Sequence, residues 1–191
     1  VSGVLGFAVI IIFESLPYHN IVFIGKDNNG EPKYAAYRAT NNSRIMGDCT
    51  GSDKHYSFRL ALGNADSVHL FESAIDLLSY ATLMKIDCKN YESESLLSLA
   101  GVYATRDRIE ESKVPVALEE FLKEKPQITK IILHLDNDKA GRLAAKALQA
   151  VLSSRYEVID DPAPRGKDFN DFLCFKMGIE RTPTRERSYE R

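Results

Sequence analysis

The chain has 191 residues, enough for one ordinary domain with a small appendage, and its 44% hydrophobic and 27% charged residues can build a core without staples. A formal net charge of −2 excludes a strongly basic nucleic-acid coat, because neutralising phosphates takes clustered Lys and Arg; it leaves room for a nucleic-acid enzyme whose metal ions supply positive charge locally. Cys49, Cys88 and Cys174 are odd in number and far apart, which argues against a zinc ribbon or a disulfide framework and fits a reducing, cytoplasmic setting.

Residues 4–13 are the only strongly apolar stretch. Spanning a bilayer takes about 20 such residues, and no basic segment precedes the run as in a signal peptide. A buried strand or helix is expected there, with no membrane partner. The abrupt apolar start suggests a fragment of a longer parent protein with further domains. An apolar run at 21–25, the turn-forming Asp27-Asn28-Asn29-Gly30 and an extended pattern at 34–39 predict a hairpin. Residues 47–54 read as a loop and 56–62 as a further strand.

After Gly63 the pattern changes to alternating strands and helices. Residues 68–71 predict a strand ending at Glu72, and Ala74, Ile75, Leu77, Leu78 and Ala81 recur at helical spacing. Further strands are expected at 96–99, 130–135 and 156–159, with helices at 116–124 and 140–152. The run Ile131-Ile132-Leu133 suits a strand buried on both faces. Such repeats predict an α/β fold with a mainly parallel central sheet flanked by helices, preceded by a small β-rich segment. Residues 1–64 are read as that segment, 65–178 as the α/β domain and 179–191, with four arginines, as a polar tail.

Ligands in parallel sheets bind at the carboxyl ends of the strands, and here those ends carry acids. Glu72 closes the first strand and Asp76 follows one helical turn later. Asp136 and Asp138 close the strand at 130–135. Asp168 and Asp171 lie in a loop after the last strand. Singly, each acid has an ordinary explanation as a helix cap or a solvated loop residue. Jointly they suggest a cation site. Side chains alternate along an extended chain, so Asp136 and Asp138 can point the same way. Two adjacent carboxylates repel and raise one pKa unless a cation intervenes. Oxygen-only ligands favour Mg²⁺ or Mn²⁺ over zinc. Gly141 follows near the start of a helix whose N-terminus can receive a phosphate oxygen. Lys139, Arg142 and Lys167 flank the acids and could hold phosphates, or be solvated charges. His134 reads as a satisfied core histidine, and nothing pairs His19, His55 or His69 toward a metal.

These residues carry a resemblance. His69 to Asp76 resembles the first motif of the Toprim family, a strand followed by Glu, usually Gly, two residues and Asp. Leu133 to Gly141 resembles its D-x-D-x-x-G element, and Gly166-Lys167-Asp168-Phe169-Asn170-Asp171 is similar to the G-x-D-x-x-E/D segment of its primase branch. Two positions depart: Ser73 stands for the usual Gly, and Asn170 stands where bacterial primases often carry an acid. The segment ahead resembles one that precedes Toprim in mobile-element proteins of Gram-positive bacteria.

The resemblance implies a Rossmann-like Toprim fold. It implies Mg²⁺ (or Mn²⁺) held by Asp136 and Asp138 with Asp168 completing or flanking the site, and Glu72 acting as general acid or base or as a further ligand. It implies phosphoryl transfer on nucleic acid, DNA foremost, with nucleotides as possible substrates. A primase-like nucleotidyltransferase of a mobile element or plasmid is the leading expectation. A Toprim nuclease and a non-catalytic DNA-binding or scaffolding domain stand as alternatives. Tyr80, Tyr91 and Tyr103 read as fold residues rather than as a topoisomerase nucleophile. The missing G-x-G-x-x-G after residue 71 disfavours a Rossmann nucleotide binder.

Overall fold

The computed structural model describes residues 10–13, 20–40, 45–61, 64–101, 103, 105–106 and 108–179. Four strands, β1 (Ile10–Phe13), β2 (Asn20–Lys26), β3 (Pro32–Ala39) and β4 (Met46–Asp48), form a small antiparallel sheet in that order. The expected hairpin is β2–β3, and its turn is closed by the Asp27 carboxylate, which accepts from the N–H groups of Asn29 and Glu31. The expected loop at 47–54 differs. Its first residues pair with β3 as an edge strand, tied down by the Tyr34 hydroxyl, which donates to Asp48. The apolar run at 4–13 contributes Ile10–Phe13 to β1, and its remaining residues lie outside the described ones, as does the arginine-rich stretch 181–191.

The second sheet has the order β5-β7-β6-β8-β9, from β5 (Arg59–Ala61), β6 (Ser67–Phe71), β7 (Ser95–Ser98), β8 (Lys130–Leu133) and β9 (Glu157–Asp160). All neighbours are parallel except β5, which runs antiparallel to β7. The strand expected at 56–62 is shorter than its pattern, because Lys54–Tyr56 form a 3₁₀ turn capped by Asp53. β5 also lies before residue 64, so the expected N-terminal segment lends an edge strand to the larger sheet.

Alternation along the strands sorts two cores. Val68 and Leu70 of β6, Leu97 of β7, and Ile131 and Leu133 of β8 face α2 (Val116–Glu124) and α3 (Lys139–Leu152), meeting Leu118, Phe121, Ala144 and Leu148. Phe71 and Leu96 point the other way, toward α1 (Ala74–Ile86) and α4 (Phe169–Lys176), with Leu77, Ala81 and Phe169. Phe23 of the small sheet meets Phe58 edge-on in this second core, so the two sheets share one apolar seam.

The helices on opposite faces create a switch point. The chain leaves β6 through α1 toward β7, and leaves β8 through α3 toward β9, on the other face and in the other direction. A crevice therefore opens between the carboxyl ends of β6 and β8, where such sheets bind ligands. Leu133, fully buried on β8, holds this point from below. Leu133→Ala is expected to cost about 2–5 kcal/mol, read as the shift in a denaturant midpoint at unchanged slope.

Candidate functional site

The residues after β6 and β8 meet in that crevice. Glu72, directly beyond β6, is 8% exposed, and its Oε1 accepts the backbone N–H of Asp136 at 3.2 Å. This bond locks the two strand ends together. Gly141 explains itself here: a Cβ on it would stand 2.3 Å from the Asp136 carbonyl oxygen and 2.8 Å from Glu72 Oε1. Only a glycine lets the first turn of α3 approach both.

Each remaining acid is fixed by a local bond. Asp138 caps α3, its Oδ1 accepting from Gly141 N–H at 2.9 Å. Asp76 is buried on α1; Ser73, which caps that helix, donates its hydroxyl to Asp76 Oδ2, and Asn170 N–H donates to Oδ1. The Ser73 backbone is extended, at φ −130° and ψ 158°, so the position does not need the usual glycine. Asn170 meets Ser79 and Asp76 of α1, so it serves the α1–α4 contact. Asp168 caps α4, accepting from Asp171 N–H at 2.7 Å. Helix α4 thus starts at Phe169, and Asp171, expected in a loop, sits inside its first turn, accepting from Lys167 N–H.

The loop carrying Lys167 and Asp168 is fastened to the D-x-D segment by Asn137. The Asn137 amide donates to the carbonyls of Ala163 and Gly166, and its N–H donates to the Lys167 carbonyl at 2.6 Å. Gly166 adopts φ +88°, a left-handed turn that favours glycine. Sequence reasoning missed Asn137. Alternation turns it away from its acidic neighbours, and only the fold reveals the loop it meets.

The result is a crowd of negative charge into which Lys167 reaches. Lys167 Nζ stands 3.0 Å from Asp136 Oδ2 and 3.2 Å from Asp138 Oδ2. Burial and the neighbouring Asp136 push the Glu72 carboxyl up to about 7. Burial raises Asp76 to about 6, with Asp168 and Asp136 adding to the rise. Burial also raises Asp136, opposed by Lys167, whereas the Gly141 N–H lowers Asp138. Bonds to Asp136 lift the Lys167 ammonium above its ordinary range.

Glu72, Asp76, Asp136, Lys167 and Asp168 line one cleft of about 410 Å³, whose opposite wall is Tyr34, Tyr37, Arg38 and Gly47 of the small sheet. Nothing in the sequence pattern indicated that this sheet would face the acids. Asp138 joins the cleft through Lys167. Lys139 is exposed on the first turn of α3 and does not line it. Arg142 is bound elsewhere: it pairs with both oxygens of Asp160 and donates to the carbonyls of Leu135 and Asp136. It braces the D-x-D segment against β9.

The chemistry of the donors fits a hard divalent ion. All are oxygens, the charges are in excess, and an ammonium already sits between two of them. Among the described residues no three His, Cys, Asp or Glu side chains are close enough to enclose an ion alone; waters and substrate phosphates complete such shells commonly. The histidines stand apart from this site. His69 Nδ1 and His134 Nε2 are 2.8 Å apart, packed with Phe71, Tyr80 and Phe169. Burial lowers both, His134 to about 3, which keeps the pair neutral in the core.

Residues 69–173 match the family described as Toprim-like. The chain belongs to it. Residues 10–65 match a second family, described only as a protein of unknown function, DUF3991. Toprim domains generally bind a divalent metal ion, in keeping with the acids of the cleft. An uncharacterized protein of Bacillus anthracis is 26% identical over 187 residues, which are 91% of this chain and 46% of that protein. This Toprim chain thus spans about half the length of the curated relative it matches. Among solved structures, one similar chain comes from the bacteriophage T7 assembly of lagging-strand DNA polymerase with primase domains bound to an RNA/DNA hybrid and dTTP. It is 22% identical, with a TM-score of 0.55, covering 88% of this chain and 76% of that one. The Aquifex aeolicus primase fragment with zinc-binding and RNA polymerase domains is 18% identical, with a TM-score of 0.53, covering 84% and 38%. At these identities the likeness is one of fold. Among the described residues of this Toprim chain, no helix is long and apolar enough to cross a membrane.

The raised Glu72 gives a pH dependence with a definite sign. Its folded pKa of about 7 exceeds the ordinary 4.5, so the folded state holds the proton more tightly. The stabilisation is fully present below about pH 4.5 and is lost as the pH rises through 7. Glu72→Gln keeps the acceptor for Asp136 N–H and removes the titration. In metal-free buffer the melting temperature of the variant, relative to wild type, is expected to climb between pH 4.5 and 7.5; a constant difference across that range contradicts the assignment.

Proposed function

We propose that this chain is the Toprim core of a primase-like nucleotidyltransferase that uses Mg²⁺, or Mn²⁺ in its place, to join nucleotides on a DNA template. The observation that carries the reading is the cleft. Its acidic wall is the Toprim switch point, and its other wall is a separate antiparallel sheet. The primase structures cover 84–88% of this chain, whereas the Toprim-like match spans 69–173 alone. The likeness therefore extends into the small sheet, supporting a primase arrangement over a bare Toprim nuclease.

Asp136 and Asp138 would hold the metal, with Asp168 flanking it across the cleft. A bound divalent ion supplies charge neutralisation for phosphates that crowd together during transfer. Glu72 lines the same cleft and is held against the D-x-D segment by the Asp136 N–H, a position from which it could receive the proton of an attacking hydroxyl. Asn137, Gly141 and Arg142 position those acids without touching substrate. Asp76 joins α1 to α4 and keeps Asn170 in place. Lys139, exposed beside the D-x-D segment, is available to nucleic-acid phosphates outside the cleft.

The parent protein would supply further domains, and nucleic acid and nucleotides would be its partners in the cytoplasm. The segments proposed from sequence, 1–64, 65–178 and 179–191, remain useful divisions, with β5 lent across the first boundary. A mobile-element or plasmid setting rests on the resemblance of the segment ahead of the Toprim to one in mobile-element proteins of Gram-positive bacteria.

The test is incubation of the full-length parent with single-stranded template, nucleoside triphosphates and Mg²⁺, scoring primer synthesis and strand cleavage together. Synthesis is expected. Asp136→Asn and Asp168→Ala should each lower it by about 10²-fold or more, the scale of losing an electrostatic contributor to transition-state stabilisation. Cleavage without synthesis, or wild-type synthesis by Asp168→Ala, contradicts the reading.

A further inference from the structure

Lys167 is the feature that the proposed chemistry does not absorb. A metal ligand set normally avoids an ammonium, because like charges compete for the same oxygens. Yet Nζ sits between Asp136 Oδ2 and Asp138 Oδ2, at 3.0 and 3.2 Å. Those are the two carboxylates to which a divalent ion is assigned.

The position is built rather than incidental. The Lys167 backbone is held at both ends, its carbonyl by Asn137 N–H and its N–H by Asp171 Oδ2. The left-handed turn at Gly166 sets its direction, and a Cβ at that glycine would meet Asp171 Cβ at 2.6 Å. Four methylenes then reach from a fixed anchor to the acids, while the side chain stays 53% exposed along the cleft. A lysine ammonium on a flexible stem is a mobile point charge, unlike the planar fork of Arg142, each of whose three nitrogens donates to Asp160 or to a backbone carbonyl.

We propose that Lys167 is a tethered counter-cation. It balances the Asp136–Asp138 pair while no divalent ion is bound, and an entering ion displaces it into the cleft, where the freed ammonium meets a phosphate oxygen of the substrate. No covalent step is involved; one cation exchanges for another on the same two carboxylates. Metal binding and lysine release are therefore linked, and the site takes up metal and phosphate in concert. This rests on the divalent-metal reading of the same acids.

Two measurements on the full-length protein test it, both without turnover. In calorimetric titration with Mn²⁺ alone, Lys167→Met should bind about 5–10-fold more tightly than wild type, since two partly exposed ion pairs no longer have to break. Lys167→Arg, which keeps a competing cation, should stay near wild type. In the wild-type protein, mass-spectrometric mapping of amine acylation should find Lys167 slow to react without metal and faster with saturating Mn²⁺. Equal or weaker Mn²⁺ binding by Lys167→Met overturns the proposal and leaves the metal site standing. A Lys167 acylation rate unmoved by Mn²⁺ does the same, and decides the matter alone if the variant does not fold. Absence of Mn²⁺ binding in wild type overturns both this proposal and the metal reading beneath it.

Discussion

The structure turns on one electrostatic constraint: the switch point of the larger sheet gathers Glu72, Asp76, Asp136, Asp138 and Asp168 at one crevice, with Lys167 between two of them. Carboxylates this close cannot all ionise freely. The protein answers in part with backbone donors, giving helix N-termini to Asp138 and Asp168 and the Asp136 N–H to Glu72. Lys167 covers Asp136 and is shared with Asp138. What remains shows as the raised Glu72 and Asp76. Such an unbalanced site is the physical ground for the proposed divalent cation.

The surrounding packing serves to keep these acids in place. Arg142 joins the D-x-D segment to β9, Asn137 joins it to the Lys167 loop, and Glu72 joins it to β6. The small sheet is fastened just as firmly. Ser57 donates its hydroxyl to the Ser98 carbonyl, and Lys54 reaches the Ala100 carbonyl. Arg59 pairs with Glu124 while donating to the Lys26 carbonyl. With Phe23 and Phe58 in the common core, both walls of the cleft belong to one packed body.

Much of this was legible in the residues. Apolar runs at β6 and β8 and the helical stripes of α2 and α3 follow from period alone, and the acids stand at strand ends because the runs stop there. The parts that escaped are those set by tertiary meeting. Asn137 looks like a spacer between two aspartates until the 163–167 loop lies against it. Arg142 reads as a helix-face charge until β9 brings Asp160 beside it. His69 and His134 lie 65 residues apart and meet only because β6 and β8 are neighbours. The short strand β4 was hidden in a polar, glycine-containing stretch, because an edge strand of three residues carries no pattern of its own.

The most direct measurement of the central claim is anomalous diffraction from crystals soaked in Mn²⁺. The account predicts an anomalous peak against the carboxylate oxygens of Asp136 and Asp138, on the side facing Glu72 and Asp168. Saturating soaks that leave this crevice without a peak, or that place Mn²⁺ only at acids elsewhere on the surface, would contradict it.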